Sequence, residues 1–386
     1  MLIARFSLKT LLCLAAVFYL VPAGLFAQEE KAEEKKPAAQ ETKPAEEEKK
    51  PAEEPTLETR EMAINLDNPS GLAIHSKTGH VFIASNDGVH RFIPGELPLK
   101  CPLEVSDFPT DVYGKGPKYN ISALGLAFLD DEHLVVGDGS LPDGQELVRV
   151  YKIAATHPGK YQKAKEDAVY SIGPIEAGED SVMGEGNYYG VAVLDGTAYV
   201  TNNGDDTKGW ISRFSVKDGK ATELEPFIAT KVATGVDAPV PIAVSEDGKK
   251  LVVGQMGEVS GTLNDSLLTI YDPASINKDD PKAEKTYKTP LHDIAGLAYS
   301  AQTKKWYATD FAWEKPEEGG LYELTIEGDN LTAKKLAKLD KPTALAFDKE
   351  GNLYVTVFGS GNEGDAMTPG KLLRIDADQF KAKPAE

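Results

Sequence analysis

One short motif recurs six times along this 386-residue chain, and it constrains the fold more than any other feature. The copies read Gly71-Leu72-Ala73-Ile74, Gly125-Leu126-Ala127-Phe128, Gly190-Val191-Ala192-Val193, Pro241-Ile242-Ala243-Val244, Gly296-Leu297-Ala298-Tyr299 and Ala344-Leu345-Ala346-Phe347. Each is a small or turn residue, an aliphatic, an alanine and a bulky apolar residue. The spacings are 54, 65, 51, 55 and 48 residues. These are too long for a solenoid repeat and suit a four-stranded propeller blade. After each motif comes a tight turn, such as Glu246-Asp247-Gly248, and then a β-rich run such as Leu251-Val252-Val253 or Leu353-Tyr354-Val355. Two such runs joined by a Gly- or Asp-containing turn predict a hairpin. Third strands are predicted over residues 89–93, 147–153, 210–216, 267–271, 321–326 and 371–375. Weaker fourth strands are predicted over 103–108 and 168–172, among others.

The sixth copy has no room for a fourth strand, because the chain ends about ten residues after Ile375. An unpaired edge there would be a liability. Residues 59–65, a β-like segment ahead of the first copy, are expected to complete the last blade. The expected class is therefore all-β: a six-bladed β-propeller closed by an N-terminal strand. A small residue and an alanine in each first strand suit a position where neighbouring blades crowd together near the axis.

The remaining sequence divides sharply. Residues 1–27 carry Arg5 and Lys9 and then an uncharged apolar run ending at Ala27, the pattern of a signal peptide. Residues 28–55 contain ten Glu, six Lys, five Ala and four Pro, with nothing that could join a core. They read as a tether to membrane or wall. Residues 56–386 form the propeller. Of the net charge of −19, the leader carries +2 and the tether −4, which leaves −17 on the ring. Such acidity argues against nucleic acid as a partner. Cys13 and Cys101 are the only cysteines, which excludes a disulfide scaffold, a Cys-rich zinc site and covalent haem. Cys101 is expected to be a small buried hydrophobe.

The run Pro342-Thr343-Ala344-Leu345-Ala346-Phe347-Asp348 followed by Gly351-Asn352-Leu353-Tyr354-Val355 resembles the NHL and gluconolactonase-like propeller repeat. Tyr199-Val200-Thr201-Asn202 and residues 241–253 resemble the YVTN-type repeat. The resemblance implies a TolB-like six-bladed ring, and its gluconolactonase-like members imply a Ca²⁺ ion at the channel mouth. Their Asn-Gly-Leu at the start of a blade is replaced here. The residues before the six small positions are Ser70, Leu124, Tyr189, Val240, Ala295 and Thr343.

Propeller topology places the start of each first strand and the end of each second strand on one face. Lead-in positions there are Asn68, Ser122, Asn187, Ala238, Asp293 and Lys341. Trailing positions include Asn86, Asp87, Asp138, Asn202, Asn203, Gln255 and Asp310. Long loops on the same face carry Asp205, Asp206, Glu258, Asp265, Trp313, Glu314, Glu363 and Asp365. Long loops on a rigid scaffold host binding. Asn187, Asn202, Asp293 and Asp310 have the oxygen chemistry that Ca²⁺ takes, although Asn and Asp also cap strand ends. Tyr188, Tyr189 and Trp313, with Asp138 and Asn203, are candidates for a ligand platform. His292 beside Asp293 offers a general base. There is no HExxH, no phosphate loop and no GxSxG elbow. The expected role is binding of an envelope protein or polysaccharide by an exported, tethered monomer. The alternative is a Ca²⁺-dependent gluconolactonase-like hydrolase, with the metal polarising a carbonyl.

Overall fold

The computed structural model describes residues 57–95, 101–114, 116–258, 261, 264–361 and 368–381, all within the compact unit Glu53–Glu386. The leader and tether, with Glu363 and Asp365, lie outside the described residues. Six sheets are arranged as a six-bladed propeller. Their innermost strands are Gly71–Ile74, Ala123–Phe128, Val191–Leu194, Pro239–Val244, Ile294–Ser300 and Pro342–Phe347. Five contain a whole copy of the repeat, the third begins one residue after its Gly190, and each pairs antiparallel with the next strand of its blade.

The recurrent small residue has a specific cause. In four blades it is glycine, and in each of the four a Cβ would lie closer than 3.0 Å to a backbone carbonyl oxygen of the next blade. Gly71 faces Leu124 O, Gly125 faces Tyr189 O, Gly190 faces Val240 O and Gly296 faces Thr343 O. Blade meets blade here backbone to backbone, at a separation no side chain permits. Hydroxyls reinforce the seams. Ser70 Oγ donates to Ala123 O at 3.0 Å, Thr201 Oγ1 to Val240 O at 2.8 Å and Thr343 Oγ1 to Pro69 O at 2.6 Å. The alanine two positions on shares the glycine's face of the strand. Ala73, for example, packs with Leu126 and Val136 of the following blade.

Blade six closes as the sequence predicts. Arg60–Leu66 pairs antiparallel with Gly370–Ile375 as the outermost strand, with Ala63 opposite Leu372 and Leu66 opposite Gly370. Leu66 is buried with Leu72, Tyr354 and Leu372 across the seam between blades six and one. Cys101 is partly buried against the same cluster, and burial pushes its thiol up to about 12.

Two additions break the blade pattern. Gln162–Lys163 leaves blade two and pairs parallel with Leu103–Ser106 at the rim of blade one. This strap is held by Arg91, buried and paired with Glu104 at 2.9 Å, whose guanidinium also donates to Ala154 O. The second addition is a hairpin between blades one and two, Asp111–Tyr113 with Tyr119–Ile121, which lies across the channel mouth.

Deleting residues 57–66 removes the closing strand and exposes the edge of Gly370–Ile375. Thermal unfolding should show a melting temperature lower by on the order of 10 °C. An unchanged melting curve contradicts the closure.

Candidate functional site

The strand ends facing the loops use polar residues mainly to shape and brace backbone. Four of the six lead-in positions hold left-handed backbone: Asn68 (φ 46°), Asn187 (φ 48°), Ala238 (φ 54°) and Lys341 (φ 52°). Asparagine tolerates that conformation better than most residues. Trailing residues turn their polar atoms on backbone or on a partner. Asp310 accepts N–H groups from Asp293 at 2.8 Å, His292 at 3.0 Å and Ala312 at 3.2 Å. Asp138 pairs with Arg149 and accepts the Ser140 N–H. Asn202 donates to Ser212 Oγ at 3.0 Å.

Above these braces the axis opens into an apolar chamber of ≈ 70 Å³. Its floor is the ring of residues that precede the six small positions: Ser70, Leu124, Tyr189, Val240, Ala295 and Thr343. None is a carboxylate or an amide. Met256, Phe311 and Phe358, each just past a second strand, form the wall. The hairpin supplies the roof. Tyr119 meets Trp313, Phe358 and Phe311 edge-on at centroid distances of 5.3, 5.2 and 6.0 Å, and Tyr113 meets Trp313 at 6.1 Å. Aromatic pairs favour this edge-to-face geometry. The hairpin is pinned by Asn203 Nδ2 donating to Tyr113 Oη at 2.8 Å and by Asn68 Nδ2 donating to Asn120 O at 3.0 Å.

Beside the chamber lies a polar recess of ≈ 280 Å³. Asp111, Asp143, Asp206, Asp237 and Glu258 line it, and among the described residues no Lys, Arg or His does. Lys231 reaches Asp237 from outside at 2.9 Å. Burial, with repulsion from Asp111, Asp206 and Asp205, pushes the Asp143 carboxyl up to about 6. Asn187 bridges the wall, its Nδ2 lying 3.4 Å from both Asp143 Oδ1 and Asn203 O.

Behind the recess two glutamates are fully buried. Glu146 accepts the Asn187 N–H, and burial raises its carboxyl to about 9. Glu185 is buried beside Ser181 and the Gly204 and Asp205 N–H groups, and burial raises its carboxyl to about 8. Gly186 leaves room for this arrangement, since a Cβ there would collide with the Glu146 carboxylate.

The structure separates the candidates read from sequence. Asn187 and Asn203 meet in the recess wall, and Tyr189 and Trp313 meet in the chamber. Tyr188 is buried between blades two and three with Val135 and Val200. Asp293 and Asp310 sit together in blade five. Asp293 Oδ2 accepts the Trp313 N–H at 2.6 Å, and burial and the Asp310 charge raise it to about 7. His292 Nε2 is 2.7 Å from Glu318 Oε2, at the rim. Among the described residues no group of three or more His, Cys, Asp or Glu side chains is placed to hold a metal ion. Sequence reasoning missed Asp111, Asp143 and Asp237 of the recess, and Tyr113 and Tyr119 of the roof. The tyrosines flank a Gly-Lys-Gly-Pro run that carries a turn signal.

Comparison with known proteins places the fold. No protein-family model and no curated protein matches the sequence. Solved structures do match. The soluble aldose sugar dehydrogenase of Escherichia coli, in its apo form, has a TM-score of 0.56 at 15% identity, covering 83% of this chain and 100% of that one. A glucose dehydrogenase gives 0.56 at 13% identity, covering 83% and 99%. A structure assigned as a gluconolactonase gives 0.51 at 12% identity, covering 84% and 93%. The chain is thus a six-bladed β-propeller, similar in fold to sugar dehydrogenase and gluconolactonase-like propellers. At these identities the likeness is one of fold alone.

A carboxyl whose folded pKa exceeds its unfolded value keeps a proton that the unfolded chain releases. Its stabilisation is complete below the unfolded value and is lost as pH rises through the folded one. For Glu146 that window runs from 4.5 to about 9. The melting temperature should therefore fall between about pH 5 and about pH 8.5, and Glu146→Gln should reduce the fall. Parallel pH profiles of the two proteins check it.

Proposed function

We propose that this propeller is an exported binding module whose acidic recess takes a ligand bearing ammonium groups. The lining of the recess carries the reading: among the described residues it gathers Asp111, Asp143 and Asp206 beside the Lys231-paired Asp237, and includes no Lys, Arg or His. Burial first, and repulsion among the gathered carboxylates second, raise the Asp143 group. An ammonium ion relieves that repulsion and forms charge-assisted hydrogen bonds. A volume of ≈ 280 Å³ suits one sugar ring or one side chain rather than a large cofactor. The leader pattern of residues 1–27 and the Glu/Lys/Pro/Ala-rich stretch after it support placement at the cell envelope. Two sources of the ligand chemistry are natural there: an amino-sugar polysaccharide or a lysine-bearing segment of an envelope protein.

Calorimetry at low salt tests the reading with glucosamine oligomers in one arm and lysine oligopeptides in the other. Saturable binding in either arm is expected. It should weaken at least about tenfold in an Asp143→Asn, Asp206→Asn double variant. In the lysine arm binding should also strengthen from about pH 5 to about pH 7, as Asp143 ionises while the lysine ammonium stays charged. Absence of heat in both arms, or an affinity that ignores both substitutions, contradicts it.

The alternative, a Ca²⁺-dependent hydrolase, draws support from the Asp143 carboxylate and the Asn203 backbone carbonyl, which meet at the Asn187 amide in one wall. If they bind Ca²⁺, the ion will raise the melting temperature and EGTA will reverse the rise.

A further inference from the structure

Two adjacent apolar side chains are held out to solvent beside the acidic recess. Val182 and Met183 are 71% and 67% exposed, the two most exposed large hydrophobics among the described residues. Their loop, residues 176–184, is firmly braced. The Gly178 N–H donates to Ser181 O at 2.7 Å, the Trp210 indole N–H to Asp180 O at 3.0 Å and the Met183 N–H to Asp205 Oδ2 at 3.0 Å. Buried partners, Trp210 and Asp205, thus fix a loop whose apolar tip stays uncovered. The loop is seated on residues of the recess wall. Asp205 adjoins Asp206, and a Cβ on Gly184 would lie 2.6 Å from the Gly144 Cα, next to Asp143. Two more exposed apolar residues stand in the same surroundings. Val112 lines the recess, and Val232 follows Lys231, which bonds to Asp237 and to Asp206 O. Scattered exposed hydrophobics are ordinary, but gathered ones mark an interaction surface.

We infer that this rim docks a segment of a partner polypeptide in which lysine is flanked by apolar side chains. The inference rests on the ammonium reading of the recess and chooses between its two sources. Charge complementarity sets the sign of the partner. Glu176, Glu179 and Asp180 are exposed on the same loop, and residues 176–184 include no Lys, Arg or His. Together with Asp111, Asp143 and Asp206 they repel an anionic surface and attract a cationic one. The lysines that come near are engaged already. Lys208 donates to Glu179 O, Lys231 pairs with Asp237 and Lys278 pairs with Glu225. The apolar tip sets the class of the partner. An amino sugar presents its ammonium among hydroxyls, which gives Val182 and Met183 nothing apolar to bury against. A polypeptide supplies that surface from residues beside its lysine. Methionine, unbranched and polarizable, adapts to such a partner. A braced loop also loses little conformational freedom on docking.

Calorimetry of the full chain with two blocked pentapeptides, Leu-Ala-Lys-Ala-Leu and Ala-Ala-Lys-Ala-Ala, tests it. They carry the same charge and differ only in the apolar groups that share the lysine's side of an extended strand. The leucine peptide should bind about tenfold more tightly. Val182→Ser combined with Met183→Ser should bring it down to the level of the alanine peptide, whereas Asp143→Asn combined with Asp206→Asn should weaken both peptides alike. Equal affinities in the unsubstituted protein overturn the inference and leave the ammonium reading standing. A preference that survives the serine variant overturns it as well. Heat from neither peptide overturns the inference together with the lysine arm of that reading. Glucosamine oligomers that lose as much affinity in the serine variant as the leucine peptide does make the rim a sugar site. A concentration-dependent dimer that the serine variant abolishes seats a second copy there. Either result overturns the inference.

Discussion

The ring depends on a place where two backbones touch. At the head of four innermost strands a glycine lets a carbonyl oxygen of the next blade come nearer than any Cβ allows. Propeller blades are joined in sequence only by loops, so their relative placement rests on the packing between sheets. Buried hydrophobic clusters between consecutive blades supply most of the favourable burial. Those clusters alone would tolerate small slips. The carbonyl-on-glycine contact does not, because it has no side chain with which to adjust. Ser70, Thr201 and Thr343 add hydroxyl bonds at the same level.

The loop face inherits its layout from that seam. The residue just before each small position points into the axis, so six blades set a six-membered floor at one height. In this chain the floor is mostly apolar, and aromatic residues from blades five and six build on it. The hairpin between blades one and two then covers the opening, and the acidic recess forms beside it where loops of blades two, three and four converge. Most polar strand ends hold this structure, and Asn187 and Asn203 also line it. Asp310, with three backbone N–H groups on its carboxylate, braces blade five.

The sequence made the ring legible because its constraint is local and repeated. Gly-Leu-Ala-Phe and its five variants each record the same inter-blade crowding, and the missing fourth strand after Ile375 points to Arg60–Leu66. The face was legible only in part. Asn187 and Asn203 were found among strand-end residues, and both reach the recess. Asn202, one residue away from Asn203, is turned into its blade towards Ser212. Sequence spacing cannot tell such neighbours apart, because the turn between them is set by tertiary packing. Asp111, Asp143, Asp206 and Asp237 come from four separate connections, and only the closed ring brings them together. Trp313 and Tyr189 read as part of a ligand platform, but their rings pack into a chamber whose roof is a hairpin that interrupts the repeat.

Everything above the seam presupposes that backbone contact fixes blade against blade. Thermal unfolding of Gly125→Ala beside Gly178→Ala tests this most directly. A Cβ at Gly125 would collide with Tyr189 O, whereas one at Gly178 would meet nothing nearer than 3.9 Å. Gly125→Ala should lower the melting temperature by several degrees or more, while Gly178→Ala should leave it within about a degree. Equal melting temperatures for the two variants would contradict the account.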